Sequence, residues 1–168
     1  HADAFAAPRR AHGDILDEMN RMCDALYYRF GAVQQLFGSF DVVHGHDWHP
    51  VTALTRIKSD YHLPFLLTMH STEWGRNGNH FGYGISEVIS HREWLGCYEA
   101  AKVIVTTKRM QDELMQIYSL PKEKLLIIPN GIIVGKMRRG ADAGRIKERY
   151  GIHPLAPVVL FCGRMSIQ

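Results

Sequence analysis

With 168 residues, 46% of them hydrophobic and 22% charged, the chain has the makeup of a folded globular protein rather than a disordered one. Lysine and arginine exceed aspartate and glutamate by only three (20 against 17), too small a surplus to select nucleic acid as a partner. No apolar run reaches the ~20 residues that span a bilayer. The three cysteines, Cys23, Cys97 and Cys162, are too few and too scattered for a disulfide framework or a thiolate zinc site, which fits a cytoplasmic protein. Cys162 lies in an apolar run and is expected to be a buried thiol. The opening residues, His1 to Pro8, have no initiator Met and no charge-then-apolar order of a signal peptide, as expected of an excerpt from a longer chain.

Ile15, Leu16, Met19, Met22, Cys23, Leu26, Phe30 and Val33 recur at three-to-four spacing and predict a helix over 9–38, stopped by Gly38-Ser39. A strand is predicted from Phe40 to His44, then a helix over 49–60 with Pro50 in its first turn, then a strand over 65–69. Residues 71–84 hold Gly75, Gly78, Gly82 and Gly84 and read as a long functional loop. A helix over 85–100, a strand over 103–105, a helix over 108–118 and a strand over 125–128 follow. Each strand is continuously apolar and preceded by a helix. That is the pattern of an α/β fold: a parallel sheet with helices on both faces.

Pro129-Asn130-Gly131 breaks this alternation. Residues 129–140 read as a polar, basic hinge and 141–150 as a short charged helix. Pro157 to Cys162 is then a buried strand opening a second domain. The expected division is therefore 1–130 and 131–168. The basic run Lys136, Arg138, Arg139, Arg145, Lys147 and Arg149 lacks interleaved aromatics, so a solvated hinge is expected there and no nucleic-acid contact.

Four of the ten histidines fall in two stretches that each begin where a strand ends: His44-Gly45-His46-Asp47-Trp48-His49-Pro50 and Thr68-Met69-His70-Ser71-Thr72-Glu73-Trp74-Gly75-Arg76. Parallel α/β sheets bind ligands at the carboxyl ends of their strands, so two consecutive strand ends of this kind predict one pocket lined from two sides. An aspartate directly after a buried strand is costly unless paired or set in a solvated cleft, which favours a ligand-facing Asp47. His70, with Ser71, Glu73 and Arg76, offers fixed donors and acceptors to a hydroxyl-rich ligand. His46 stands beside them, and Trp48 and Trp74 offer aromatic faces to the C–H sides of a sugar. The bland alternative is that the histidines merely cap strand ends.

The order H-x-H-D-x-H misses the H-x-H-x-D-H pattern of metallo-β-lactamase-like hydrolases by one place, because Trp48 stands where the aspartate belongs. A metal-dependent hydrolase built on His44, His46, Asp47 and His49 stays an alternative, but no metal is assigned. Gly163-Arg164 pairs a glycine that lets backbone approach a ligand with an arginine that forks onto phosphate oxygens. A tight turn with a surface arginine is the rival reading.

Taken in order, D-V-V-H-G-H-D-W-H-P, T-M-H-S-T-E-W-G-R, E-A-A-K-V-I-V-T-T, I-I-P-N-G-I and V-V-L-F-C-G-R resemble the retaining glycosyltransferases of the glycogen/starch synthase type (group 1) over about residues 40 to 164. The resemblance implies the GT-B architecture, in which two Rossmann-like domains face each other across a cleft. It makes Asp47 a residue of the donor-sugar and acceptor pocket and His70 the contact to the transferring sugar. His46, Trp48, Ser71, Glu73 and Arg76 become substrate-binding, and Asn130-Gly131 the domain crossing. Gly163 and Arg164 become the grip on the donor diphosphate.

The family's amino-terminal glycine-rich loop has no counterpart before His12-Gly13. Its lysine after the G-R arginine would fall beyond Gln168, and its carboxyl-terminal glutamate pair is absent. The chain is thus expected to be the carboxyl part of one domain and the opening of the next, inactive alone. The implied substrates are a nucleoside diphosphate sugar and a carbohydrate acceptor entering by the 71–84 loop, with no cofactor. A non-catalytic carbohydrate-binding module is the non-enzymatic alternative.

Overall fold

The computed structural model describes residues 12–137, 140 and 142–163. A long helix α1 (His12–Phe37) leads into an alternation of strands and helices: β1 (Val43–His46), α2 (Val51–Tyr61), β2 (Phe65–Met69), the one-turn α3 (Glu73–Arg76), α4 (Ile85–Glu99), β3 (Lys102–Val105), α5 (Lys108–Tyr118) and β4 (Leu125–Ile127). The four strands are all parallel in the order β1-β2-β3-β4. This is the expected α/β, Rossmann-like sheet. No described helix is long and apolar enough to cross a membrane.

Parallel neighbours in sequence order need right-handed crossovers, which bring their connecting helices to one face. Phe65, Leu67, Met69, Val103, Val105 and Leu125 form the core on that face with Val51 and Leu54 of α2, Cys97 of α4 and Leu114 and Tyr118 of α5. Thr68 and Ile104 point the other way and are buried too, so both faces of the central strands are covered. Packing against α2 is tight enough to dictate composition. A Cβ on Gly45 would stand 2.5 Å from Leu54 Cδ1, and one on Gly96 2.5 Å from Val51 Cγ2 and 2.9 Å from Leu67 Cδ2.

The first strand starts three residues later than the predicted Phe40. Its ladder opens with Val43 opposite Phe65, and Val43 N–H donates to Pro64 O at 3.1 Å. Pro64 has no N–H to continue the ladder backwards, so Phe40 and Val42 stay outside the sheet and partly exposed. Within the predicted 71–84 loop, Thr72 caps α3 by accepting the Gly75 N–H at 3.0 Å.

Residues up to Pro129 form one compact unit and those from Asn130 a second. In the second, Asn130 and Gly131 are exposed, and α6 (Val134–Met137) makes a single turn inside the predicted hinge. Helix α7 (Ala143–Arg149) is capped by Asp142, whose Oδ1 accepts the Arg145 N–H at 3.1 Å. The strand expected at Pro157 to Cys162 does not form. Val159, Leu160 and Phe161 are 99%, 84% and 69% exposed. A parallel strand exists only by exchanging N–H and C=O with neighbours, and this run has none among the described residues. For the same reason Cys162 is exposed rather than buried. Cys97, by contrast, is sealed in the core, where burial pushes its thiol up to about 12.

Gly96→Ala is therefore expected to destabilise the fold by about 1–3 kcal/mol through overpacking against Val51 and Leu67. Urea unfolding measures this, and an unchanged midpoint would refute the close approach of α4.

Candidate functional site

The two strand tips meet. As β1 ends, Asp47 turns into the left-handed region (φ 55°), a conformation aspartate tolerates better than most residues. Its N–H donates to Thr68 O at 2.8 Å, and its Oδ1 accepts the His70 N–H, also at 2.8 Å. The turn thus carries the carboxylate sideways over the end of β2. Among the described residues only Oδ1 of this half-buried group is engaged.

His44, His46 and His70 alternate along β1 and beyond β2, so their rings share one face of the sheet. His46 Nδ1 lies 3.0 Å from His70 Nε2 with the rings stacked at 5.3 Å, and His44 lies 4.6 Å from His46, centroid to centroid. His44 Nε2 pairs with Thr68 Oγ1 at 2.8 Å. Burial lowers the His44 pKa, and the neighbouring imidazoles of His46 and His70 add to it. The proposed metal cluster does not assemble, because His49 turns away to stack on Trp48 at 4.4 Å. Among the described residues no three His, Cys, Asp or Glu side chains converge as metal ligands would.

Trp48 requires a correction. It is 6% exposed, covered by His49 and with the Arg92 guanidinium 5.9 Å over its ring. An indole leaving a buried strand gains more by packing than by facing water, so it presents no open face to a sugar.

Ser71, Glu73 and Arg76 do come together, but around a residue that motif reading passed over. Glu93 of α4 is fully buried. Its carboxylate accepts the Glu73 N–H on both oxygens (3.0 and 2.9 Å), Arg76 Nη2 at 2.7 Å and the Tyr118 hydroxyl at 2.7 Å. Arg76 Nε also donates to Glu73 Oε2 at 2.9 Å, and its Nη1 to Ser71 Oγ at 2.5 Å. Each of the three guanidinium nitrogens thus makes a bond inside the protein. Burial opposes the Arg76 charge, yet Glu93 and Glu73 outweigh it and raise its pKa. Burial also lifts the Glu93 carboxyl above the usual range, against the pull of the Glu73 N–H, the Tyr118 hydroxyl and Arg76. The signal was present in the sequence: Glu93 shares the helix face of Ile89, Gly96 and Cys97, and a carboxylate there demands partners.

Of the other expected contacts, Gly163 is exposed and Arg164 lies outside the described residues. Ser71 and Arg76 line a cleft of about 530 Å³ with Thr72, Gly75, Arg109 and Glu113.

Glu93→Ala would leave the Glu73 N–H and the Tyr118 hydroxyl without their acceptor and Arg76 with Glu73 as its one carboxylate, and is expected to cost about 3–5 kcal/mol in urea unfolding; a loss under about 1 kcal/mol would deny the network its role. The histidines give a pH test. Because the folded state lowers the His44 pKa below the unfolded value of about 6.5, the unfolded chain takes up more protons as pH falls through about 6.5. Stability is then lost on acidification. His44→Gln keeps a partner for Thr68 and removes that titration, so its melting temperature should fall less than wild type between about pH 7.5 and about pH 5.5. Equal falls would contradict the assignment.

A family model described as Glycosyltransferase Family 4 matches residues 5–136. An uncharacterized glycosyltransferase of Methanocaldococcus jannaschii is 29% identical over 132 residues, which cover 77% of this chain and 34% of the relative. A glycogen synthase of Mycobacterium tuberculosis is 33% identical over 128 residues, 67% of this chain and 30% of its own length. An alpha-maltose-1-phosphate synthase of the same organism is 28% identical over 134 residues, covering 76% and 34%. The chain thus spans about a third of the length of the curated relatives it matches. A parallel sheet whose first two strand tips are locked together by an aspartate and a histidine, matched over most of its length by one family model, places the chain in glycosyltransferase family 4.

Proposed function

We propose that this chain supplies the acceptor side of a retaining glycosyltransferase that moves a glucosyl unit from a nucleoside diphosphate sugar to a hydroxyl of a sugar or glucan. The observation that carries the reading is the bond between Asp47 Oδ1 and the His70 backbone N–H, which holds the Asp47 carboxylate against the neighbouring strand tip that carries His70. Family membership supports glycosyl transfer, and the names of the glycogen synthase and maltose-1-phosphate synthase relatives support glucose and an α-glucan.

In such a transfer positive charge grows on the sugar ring and negative charge on the departing diphosphate. The Asp47 carboxylate, held through Oδ1, turns its second oxygen to a sugar hydroxyl and its charge to the ring. His70, held through Nε2 by His46, offers Nδ1 to another hydroxyl. Such positioning lowers the barrier by removing the entropy of alignment. Gly163 and Arg164, past the Asn130-Gly131 crossing, take the diphosphate. The donor is a substrate, and neither metal nor cofactor is assigned to the step. The cytoplasm is the proposed site of action.

Asp47→Asn keeps an oxygen for the His70 N–H and removes the charge. In the full-length protein it should lower kcat with ADP- or UDP-glucose roughly a hundredfold or more while leaving the melting temperature nearly unchanged. Absence of transfer from any nucleotide sugar by wild type, or full activity in the variant, would overturn the proposal.

A further inference from the structure

We infer that a groove between α5 and the 71–79 segment binds a neutral carbohydrate chain of at least two sugar units, leading away from the Asp47–His70 junction. The inference deepens the glycosyltransferase reading by naming the acceptor class, and it rests on that reading. Two clefts of about 530 Å³ and about 420 Å³ adjoin, sharing Asn79, Arg109 and Glu113 as a common wall. Both fall within the size range of small-ligand sites. The first begins at Ser71, the residue after His70, and the second is bounded by Trp74, Asp112 and Gln116.

One wall is a helix face. Arg109, Asp112, Glu113 and Gln116 recur at i, i+3, i+4 and i+7 on α5, away from the buried Gln111, Leu114 and Tyr118. The other wall is the short segment through α3, and it is braced. The Thr72 hydroxyl donates to Glu113 Oε1 at 2.5 Å, joining the two walls. Asn79 sits in the left-handed region (φ 68°) with its N–H on Trp74 O at 3.0 Å. Among the described residues the side chains of Arg109, Asn79 and Gln116 have no partner within the protein.

The resulting chemistry is that of polyol recognition: a forked cation, two amides, carboxylate oxygens and a half-buried indole. It does not suit a phosphate. Asp112 and Glu113 stand beside Arg109, Lys108 pairs with Asp112, and Arg76 at the rim is neutralised by Glu73 and Glu93. Two adjoining sugar-sized spaces, lined alike, fit consecutive residues of a chain better than a single ring.

The test is equilibrium binding to the full-length protein without any donor, by calorimetry with glucose, maltose, maltotriose, maltoheptaose, cellotetraose and glucose 1-phosphate. Affinity should rise from glucose to the oligosaccharides of one linkage series. Arg109→Ala and Trp74→Phe should weaken oligosaccharide binding about tenfold while glucose binding changes less. Arg109 is exposed, so that variant is expected to fold; a melting curve superimposable on wild type checks it. No dependence on chain length, preference for glucose 1-phosphate, or wild-type affinity in folded Arg109→Ala and Trp74→Phe would each overturn the groove. Length-dependent binding by a protein that transfers nothing would leave the groove standing and remove the transferase reading. Transfer insensitive to acceptor length would do the reverse.

Discussion

A carboxylate shut off from water sets the path of the binding-side backbone. Glu93 would be prohibitively expensive in the core alone. The Glu73 N–H and the Arg76 guanidinium of α3 and the Tyr118 hydroxyl of α5 offset that cost. The segment leaving β2 therefore has one path available. Arg76 is tied to Glu93 and to Ser71, Thr72 to α5 through Glu113, and Asn79 to Trp74 at the far end. His70 stands just before this braced stretch, and the cleft lined by Ser71, Thr72 and Glu113 runs along it. One side chain on α4 thus supports both.

The second constraint is the close approach of β1 to α2. Gly45 has no room for a side chain against Leu54 and Pro50, so the turn that follows β1 starts from a fixed place. Asp47 completes that turn in the left-handed region and fastens to the backbone on both sides of the β2 tip, at Thr68 and His70. The same geometry lines three imidazoles along one face, where burial weakens the proton affinity of His44. A His44 imidazole less ready to take a proton, close to the Asp47 carboxylate, is consistent with the proposed transfer, in which positive charge grows on the sugar ring.

Periodicity made the sheet readable. The runs at 65–69 and 103–105 and the helices at 85–99 and 108–118 stand nearly where three-to-four and continuous-apolar spacing put them. What spacing could not supply was partnership. Nothing in Phe40-Asp41-Val42 announces that Pro64, across the ladder, has no N–H to offer, and nothing in Val158 to Phe161 says that no strand lies beside it among the described residues. Trp48 looked like a sugar platform because it follows a strand end, yet whether an indole packs or faces solvent depends on neighbours from α4 and its own His49. Arg76 looked like a ligand for the same reason. Its commitment is visible only once Glu93, seventeen residues on, arrives from another helix. Asp47 and His70 were legible because strand-end position alone, in a parallel sheet, brings such residues together.

The most direct test reads the histidines themselves. In full-length protein with isotope-labelled histidine, nuclear magnetic resonance resolves the ring signals of His46 and His70, assigned by His46→Gln and His70→Gln. Saturable shifts of both signals on addition of ADP- or UDP-glucose, weakened in Asp47→Asn, are the predicted result. Ring signals that do not move in a folded protein, for any nucleotide sugar, would contradict a sugar site at the meeting of these two strands.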